Sequence, residues 1–212
     1  MENVDCHACM RPGAKEINDF RPVALTLIIA KCMERIVCNQ LIVSVANRMD
    51  PLQFAYRARR RVEDATLTLF DLISSHLDSA GTTVKSSFYG FLISVQYHPT
   101  TCFDKKKRLL DLEVNTDLVL WIRQFLCDRP QRVRLSSRLC DQPVLSDELV
   151  LNTGVPQGCV LSPVLFSVHT NEYTCNNPVL IWIKYADDMA LISRLNKRVF
   201  SFSVLFADRD VK

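Results

Sequence analysis

The stretch LIWIKYADDMALIS, Leu180 to Ser193, sets two aspartates, Asp187 and Asp188, between two apolar, β-prone runs. Two such runs with a short polar break between them read as a β-hairpin with ADD at its turn. Consecutive side chains of a strand point to opposite faces, so neighbouring carboxylates converge only at a bend. Converging carboxylates repel one another unless a cation lies between them. Mg²⁺ takes hard oxygen ligands, commonly one or two carboxylates completed by substrate phosphates. Acidic dipeptides also cap ordinary turns, so ADD by itself leaves two readings open, a metal site or an acidic turn.

The rest of the chain bounds the choice. With 212 residues, 48% apolar and 23% charged, it can build one large domain or two small ones around a packed core. The net charge of +3 says little about partners, but its distribution is uneven. YRARRRVED carries Arg57, Arg59, Arg60 and Arg61, and DKKKR (104–108) is a second basic knot. Such blocks attract phosphates by charge, and they also occur as ordinary solvated faces. Nine cysteines at irregular spacing, with no apolar run behind the first residues, predict reduced thiols and an intracellular protein of nucleus or cytoplasm, not a secreted one. Apolar runs such as VALTLIIA are too short to span a bilayer. In CHAC, Cys6, His7 and Cys9 stand at zinc-like spacing, without a second Cys/His pair at knuckle spacing to complete a site.

Periodicity predicts helices over 23–48, 62–80, 115–128 and 162–175. Asp50-Pro51, Gly81 and Arg129-Pro130 act as stops, and Ser162 with Pro163 as a start. On the second helix Val62, Ala65, Leu69, Leu72 and Ile73 fall near one face. Strands are expected at 86–97 and 131–137, the latter paired with PVLSDELVL, and on both sides of ADD. Residues 1–20 are polar and lack periodicity. Helices mixed with hairpins make an α+β fold.

Upstream of the hairpin stands NTGVPQGCVLSPVLF (152–166), where Gly154 and Gly158 bracket a Pro-Gln before a capped helix. Glycines there let backbone approach a nucleotide or template strand closely. Further upstream are NDFRPVALT (18–26) and QFAYRARRR (53–61). In this order, NDFRPVAL, QFAYR, GVPQGCVLSP and YADD resemble the reverse transcriptases (RNA-directed DNA polymerases) of non-LTR, LINE-type retrotransposons. The resemblance runs from about Asn18 to about Leu195 and takes in WIRQFLCDRPQRV (121–133).

The resemblance implies the fingers and palm of a right-hand template-copying polymerase over 18–195, between a polar segment (1–17) and a divergent tail (196–212). A thumb and an endonuclease domain are expected to be absent, as in a fragment. It implies an RNA template, a DNA primer, deoxynucleoside triphosphates and two Mg²⁺ ions that clamp the reacting oxygens. Asp187 would be the principal metal ligand, with Asp188 beside it. Tyr185 and Ala186 would shape the floor beneath the primer. Arg57 and Arg60 match positions near the triphosphate. Gly154, Pro156, Gln157 and Gly158 match the loop that packs against nucleotide and template.

One block departs from the family. A further carboxylate belongs on a palm strand, in a run resembling DFSSAFNTI, ahead of Leu109–Leu112. Here no Asp or Glu occurs from Ser79 to Phe103, and ungapped alignment puts Leu92 at the expected position. GFLISVQYHPT (90–100) reads as that family block translated one nucleotide out of frame. A second reading follows from the gap over 79–104: a non-catalytic remnant that binds single-stranded nucleic acid through its arginines. Sequencing the encoding DNA tests the frameshift. A DFSSAFNTI-like block is expected in a neighbouring frame over 86–104, and its absence removes the frameshift account.

Overall fold

A computed structural model describes residues 4–10, 20–90, 102–135, 144–175 and 177–196. In chain order its elements are β1 (Val4–Met10), β2 (Phe20–Leu25), α1 (Ile28–Val45), α2 (Val62–Leu77), β3 (Thr82–Gly90), α3 (Cys102–Asp111), α4 (Thr116–Leu126), β4 (Arg129–Leu135), β5 (Val144–Leu145), β6 (Leu149–Leu151), α5 (Ser162–Thr170), β7 (Leu180–Tyr185) and β8 (Asp188–Asn196). This mixture of helix and sheet is the α+β class expected. The chain divides into two units, Met1–Arg48 with Tyr97–Val168, and Met49–Gln96 with His169–Lys212.

The first unit holds a five-stranded sheet in the order β2-β1-β4-β5, with β6 also on β4. β1 runs antiparallel to β2 and parallel to β4. One element here was not expected, and one expectation fails. The polar N-terminal stretch contains strand β1, whose Cys6 is buried against Ala24 and Cys159. The helix expected from residue 23 starts at Ile28, because Val23, Ala24 and Leu25 pair with β1. A short apolar run has no period of its own that separates strand from helix, so its partner decides. The side chains of His7 and Cys9 lie outside the described residues.

Helix α4 follows the sequence closely. The Asn115 side chain accepts from the Asp117 amide at 2.8 Å, an N-cap. At its other end Arg129 is buried, and its Nε donates to the Leu126 carbonyl at 2.9 Å. A cation suits a helix C-terminus, where carbonyls lack partners and the helix dipole is negative. The same guanidinium donates to the Thr153 carbonyl at 2.7 Å, which ties the end of α4 to the loop before α5. β4 begins at Arg129, and both β5 and β6 pair with it antiparallel, as the predicted hairpin requires.

Helix α5 is shorter than expected and ends at Thr170. Ser162 does not act as the predicted cap, because its hydroxyl donates to the Pro156 carbonyl. The carboxylate at this helix start is that of Glu34, whose Oε2 accepts from the Leu161 amide at 3.1 Å. A negative charge is favoured there by the unpaired amides of the first turn.

The second unit packs α2 on a three-stranded antiparallel sheet ordered β3-β8-β7. Its core is Phe54, Ala65, Ile183, Ala190 and Ile192, with Leu69, Leu72 and Ile73 of the predicted apolar face against it. Val62, expected on that face, is exposed. α2 opens with the Asp64 carboxylate accepting from the Arg61 amide at 2.7 Å, and Gly81 beyond it takes a left-handed φ of 82°. The strand expected at 86–97 begins earlier, at Thr82. Beyond Gly90 that expectation falls outside the described residues.

Lys184 sits in the apolar strand β7 and is buried. Its Nζ lies 2.6 Å from the Asp50 carboxylate and donates to the Thr170 carbonyl at 3.0 Å. Burial pushes the ammonium below its usual pKa, and the Asp50 carboxylate pulls it back. Breaking a buried pair strands a charge, whereas replacing both partners by apolar groups does not. Asp50→Ala is therefore expected to destabilise by about 3–5 kcal/mol. Asp50→Leu with Lys184→Met is expected to cost less than the sum of the two single changes. Denaturant midpoints of the four proteins of that cycle check this, and additive losses would contradict it.

Candidate active site

The ADD hairpin is built as its sequence reads. Tyr185 pairs with Asp188, which leaves Ala186 and Asp187 as a two-residue turn. Ala186 carries the positive φ, 53°, and Asp187 is not among the positive-φ residues. Positive φ at the first central position only is the sense of a type II′ turn, which matches the twist of paired strands. A non-glycine residue held there is strained, and the ladder on both flanks holds it. Asp187 and Asp188 are exposed at the tip.

Asp188 begins the central strand of its sheet and has neighbours on both sides, Tyr185 on β7 and Gly90 on β3. The segment before α2 covers the outer edge of β7. The Lys184 amide donates to the Leu52 carbonyl at 3.0 Å, and the Phe54 amide donates to the Lys184 carbonyl at 2.9 Å. This brings Tyr56, of QFAYR, to the tip. Its phenol is pushed above its usual pKa by burial first, then by the Asp187 carboxylate and Tyr185. Tyr56 itself has φ 59°, a second strained residue at the same place.

The arginines of the same segment divide by task. Arg57 Nη1 donates to the Asp50 carbonyl at 2.9 Å and to the Gln53 carbonyl at 3.4 Å, so it braces the loop from within. Arg60 is exposed and its guanidinium lies 5.1 Å from the centre of the Phe54 ring, a cation–π contact. Arg59 and Arg61 are exposed.

The GVPQG loop belongs to the first unit. Its two glycines have different reasons to be glycine. Gly154 has φ 69°, and a Cβ there would meet nothing within 4 Å, so the space beside its Cα is open. Gly158 has φ 90°, and a Cβ would come 2.8 Å from Val23 Cγ1. Its missing side chain makes room for β2, which is tied to the loop where the Ala24 amide donates to the Gln157 carbonyl at 2.8 Å. Pro156 is buried and Gln157 is exposed. Cys159 is buried next to this loop. Burial, with the Glu34 carboxylate next, pushes its thiol up to about 12, so at neutral pH it is a protonated core group and not a nucleophile.

These observations match a known family. Residues 12–203 fit the family model described as reverse transcriptase (RNA-dependent DNA polymerase). The chain belongs to the reverse transcriptase family. It is 24% identical over 195 residues to the RNA-directed DNA polymerase from mobile element jockey of Drosophila melanogaster, covering 84% of this chain and 19% of that protein. It is 26% identical over 201 residues to the probable RNA-directed DNA polymerase from transposon BS of the same organism, covering 88% and 21% respectively. This reverse transcriptase chain thus spans about a fifth of the length of the curated relatives it matches. Among solved structures, apo telomerase from Candida tropicalis truncated from its C-terminal domain is similar in fold. Its TM-score is 0.50 at 10% identity, covering 89% of this chain and 43% of that one.

Reverse transcriptases generally use divalent metal ions. The turn of this hairpin supplies two carboxylates, Asp187 and Asp188. β3 lies beside Asp188 and carries no carboxylate from Thr82 to Gly90. Among the described residues no group of three His, Cys, Asp or Glu side chains is placed to hold an ion. Among the described residues, too, no helix is long and apolar enough to cross a membrane.

The contacts of Lys184, Tyr56, Glu34 and Arg129 were not foreseen from the sequence. Lys184 gave a usable signal, a lone charge inside LIWIKY. The two glycines make a direct test. Gly154→Ala carries only the left-handed strain, about 1–2 kcal/mol. Gly158→Ala adds the clash with Val23, so it is expected to cost more, by about 1–3 kcal/mol. Urea midpoints of both variants check the order, and equal losses would contradict it.

Proposed function

We propose that this chain is the fingers and palm portion, over 18–195, of a retrotransposon reverse transcriptase, and that it binds single-stranded nucleic acid without polymerising. The observation that carries this reading is the pairing of β3 with β8. The strand beside the aspartate hairpin is present in full register from Thr82 to Gly90, and it offers no carboxylate. The sheet with α2 on one side is read as palm, and the arginine-bearing segment before α2 as fingers.

In the ancestral enzyme an RNA template, a DNA primer and deoxynucleoside triphosphates would meet at this hairpin with two Mg²⁺ ions. Asp187 and Asp188 would be the catalytic metal ligands. Tyr185 and Ala186 would underlie the primer, and Gly154, Pro156, Gln157 and Gly158 would face nucleotide and template. Arg57 and Arg60 would stand near the triphosphate. In this chain two exposed carboxylates by themselves would not make the clamp. Loss of a central electrostatic stabiliser commonly costs a factor of about 10²–10³ in rate.

Phosphate binding needs charge and reach only. Arg59, Arg60 and Arg61 are exposed and close in sequence, so they are the groups proposed to hold a phosphate backbone. Arg57 supports the reading indirectly, by bracing the loop that carries them. With reduced thiols, the proposed setting is intracellular.

Two measurements test this. Primer extension on an RNA template with Mg²⁺ is expected to show no product above an Asp187→Asn control, and Asp187-dependent synthesis would overturn the loss of chemistry. In filter binding, affinity for single strands should fall steeply with salt. Each phosphate neutralised contributes a log–log slope of about −0.7. Replacing Arg59, Arg60 and Arg61 by alanine, with Arg57 kept, should flatten the slope by up to about 2, while Asp187→Asn leaves it nearly unchanged. Identical titrations of wild type and triple variant at every salt concentration would overturn the binding role.

A further inference from the structure

We propose that Gly90 occupies the strand position from which a third carboxylate would join Asp187 and Asp188. On this view a divalent-cation site fails in this chain for want of one side chain, on a scaffold that is otherwise built. The inference rests on the polymerase reading above and deepens it.

The argument is one of register. β3 and β8 pair without a break from Thr82↔Asn196 to Gly90↔Asp188. Residues directly opposite each other in an antiparallel pair share a face, with Cβ atoms about 5 Å apart. A carboxylate at position 90 would therefore stand beside that of Asp188, at the end of the sheet where Asp187 forms the turn. On its other flank Asp188 faces Tyr185, which brings no carboxylate. From Ser79 to Phe103 the sequence contains no acid that a shift in register could bring into place. Ungapped alignment gives this position to Leu92, which lies outside the described residues, whereas strand register gives it to Gly90.

The strand is held by its ladder and by Tyr89, whose ring lies 5.6 Å from that of Trp182. Gly90 belongs to extended strand, where any residue but proline fits the ladder. An aspartate there would meet Asp188 as a like charge, unfavourable without a cation and favourable with one.

The test uses the full chain with Gly90→Asp, alone and with Asp188→Asn. Gly90→Asn is the neutral control. Ser87→Asp puts the same charge opposite Leu191, away from the tip. Thermal melts are recorded in EDTA and in Mn²⁺, and Tb³⁺ binding is followed by luminescence. Gly90→Asp is expected to melt below wild type in EDTA, to recover in Mn²⁺, and to bind Tb³⁺ at least tenfold more tightly than wild type. Asp188→Asn should abolish the gain, and both controls should show none. A Gly90→Asp protein that melts cooperatively yet binds Tb³⁺ no better than Ser87→Asp overturns the assignment. If that variant does not fold without an ion, Gly90→Glu is held to the same criterion. Filter binding separates the two readings. Failure of the Gly90 variants leaves the arginine-dependent salt slope intact, whereas a missing slope in the wild type overturns the proposed nucleic-acid binding and leaves a Tb³⁺ gain standing.

Discussion

The second unit depends on one buried ion pair. Lys184 is a charge inside an apolar strand, and its ammonium is kept from water by the packing around β7. The Asp50 carboxylate and the Thr170 carbonyl offset that desolvation. Asp50 is fixed in its turn, since its amide donates to Asn171 Oδ1 at 2.7 Å and its own side chain accepts from the Leu52 amide at 2.9 Å. A pair of this kind adds little net stability over an apolar substitute, but it penalises every arrangement in which either charge is left alone. It therefore fixes where the chain before α2 lies along β7. The backbone bonds of Leu52 and Phe54 to Lys184 follow from that placement and close the strand's exposed edge, which would otherwise be free to pair with another chain.

From that anchor the tip of the hairpin is assembled. Tyr185 and Ala186 come directly after Lys184 in the chain, and Tyr56 follows the segment that Lys184 holds. Left-handed backbone at both Ala186 and Tyr56 is costly for residues with a Cβ. Such strain persists where neighbouring structure over-determines it, and here ladder bonds and a buried ion pair stand within a few residues on either side. The result is two exposed carboxylates on a rigid turn, with an aromatic hydroxyl close enough to feel one of them. Rigidity of this kind is what a metal or a primer terminus would require. The tip retains it although β3, the strand next to it, offers no acid.

The first unit organises its loop by a different means. Glu34, Cys159 and Gly158 sit where β2, the GVPQG loop and the start of α5 meet. The buried Glu34 carboxylate takes the Leu161 amide, and Gly158 gives way to Val23. Glycine at 158 is thus a packing requirement, while at Gly154 the space a side chain would take is open. Motif resemblance alone treats the two as equivalent. The geometry separates a position that serves the chain's own fold from one that a ligand could reach.

By itself the sequence determined the family, the α+β class, the aspartate hairpin, the amphipathic face of α2 and the helix that follows Asn115. Each of these is written in local period, turn chemistry or a run of adjacent residues. It also determined that the acid is missing between Ser79 and Phe103, because composition needs no coordinates. Only the tertiary structure decided the rest. It made residues 20–25 a strand, since a short apolar run takes the form its partner offers. It turned Arg57 inward, drew the carboxylate of Glu34 to the start of α5 in place of the Ser162 hydroxyl, and paired Lys184 with Asp50, 134 positions apart. It set Gly90 opposite Asp188. These are pairings between residues distant in the chain, and their energies depend on burial and register, which no local pattern carries.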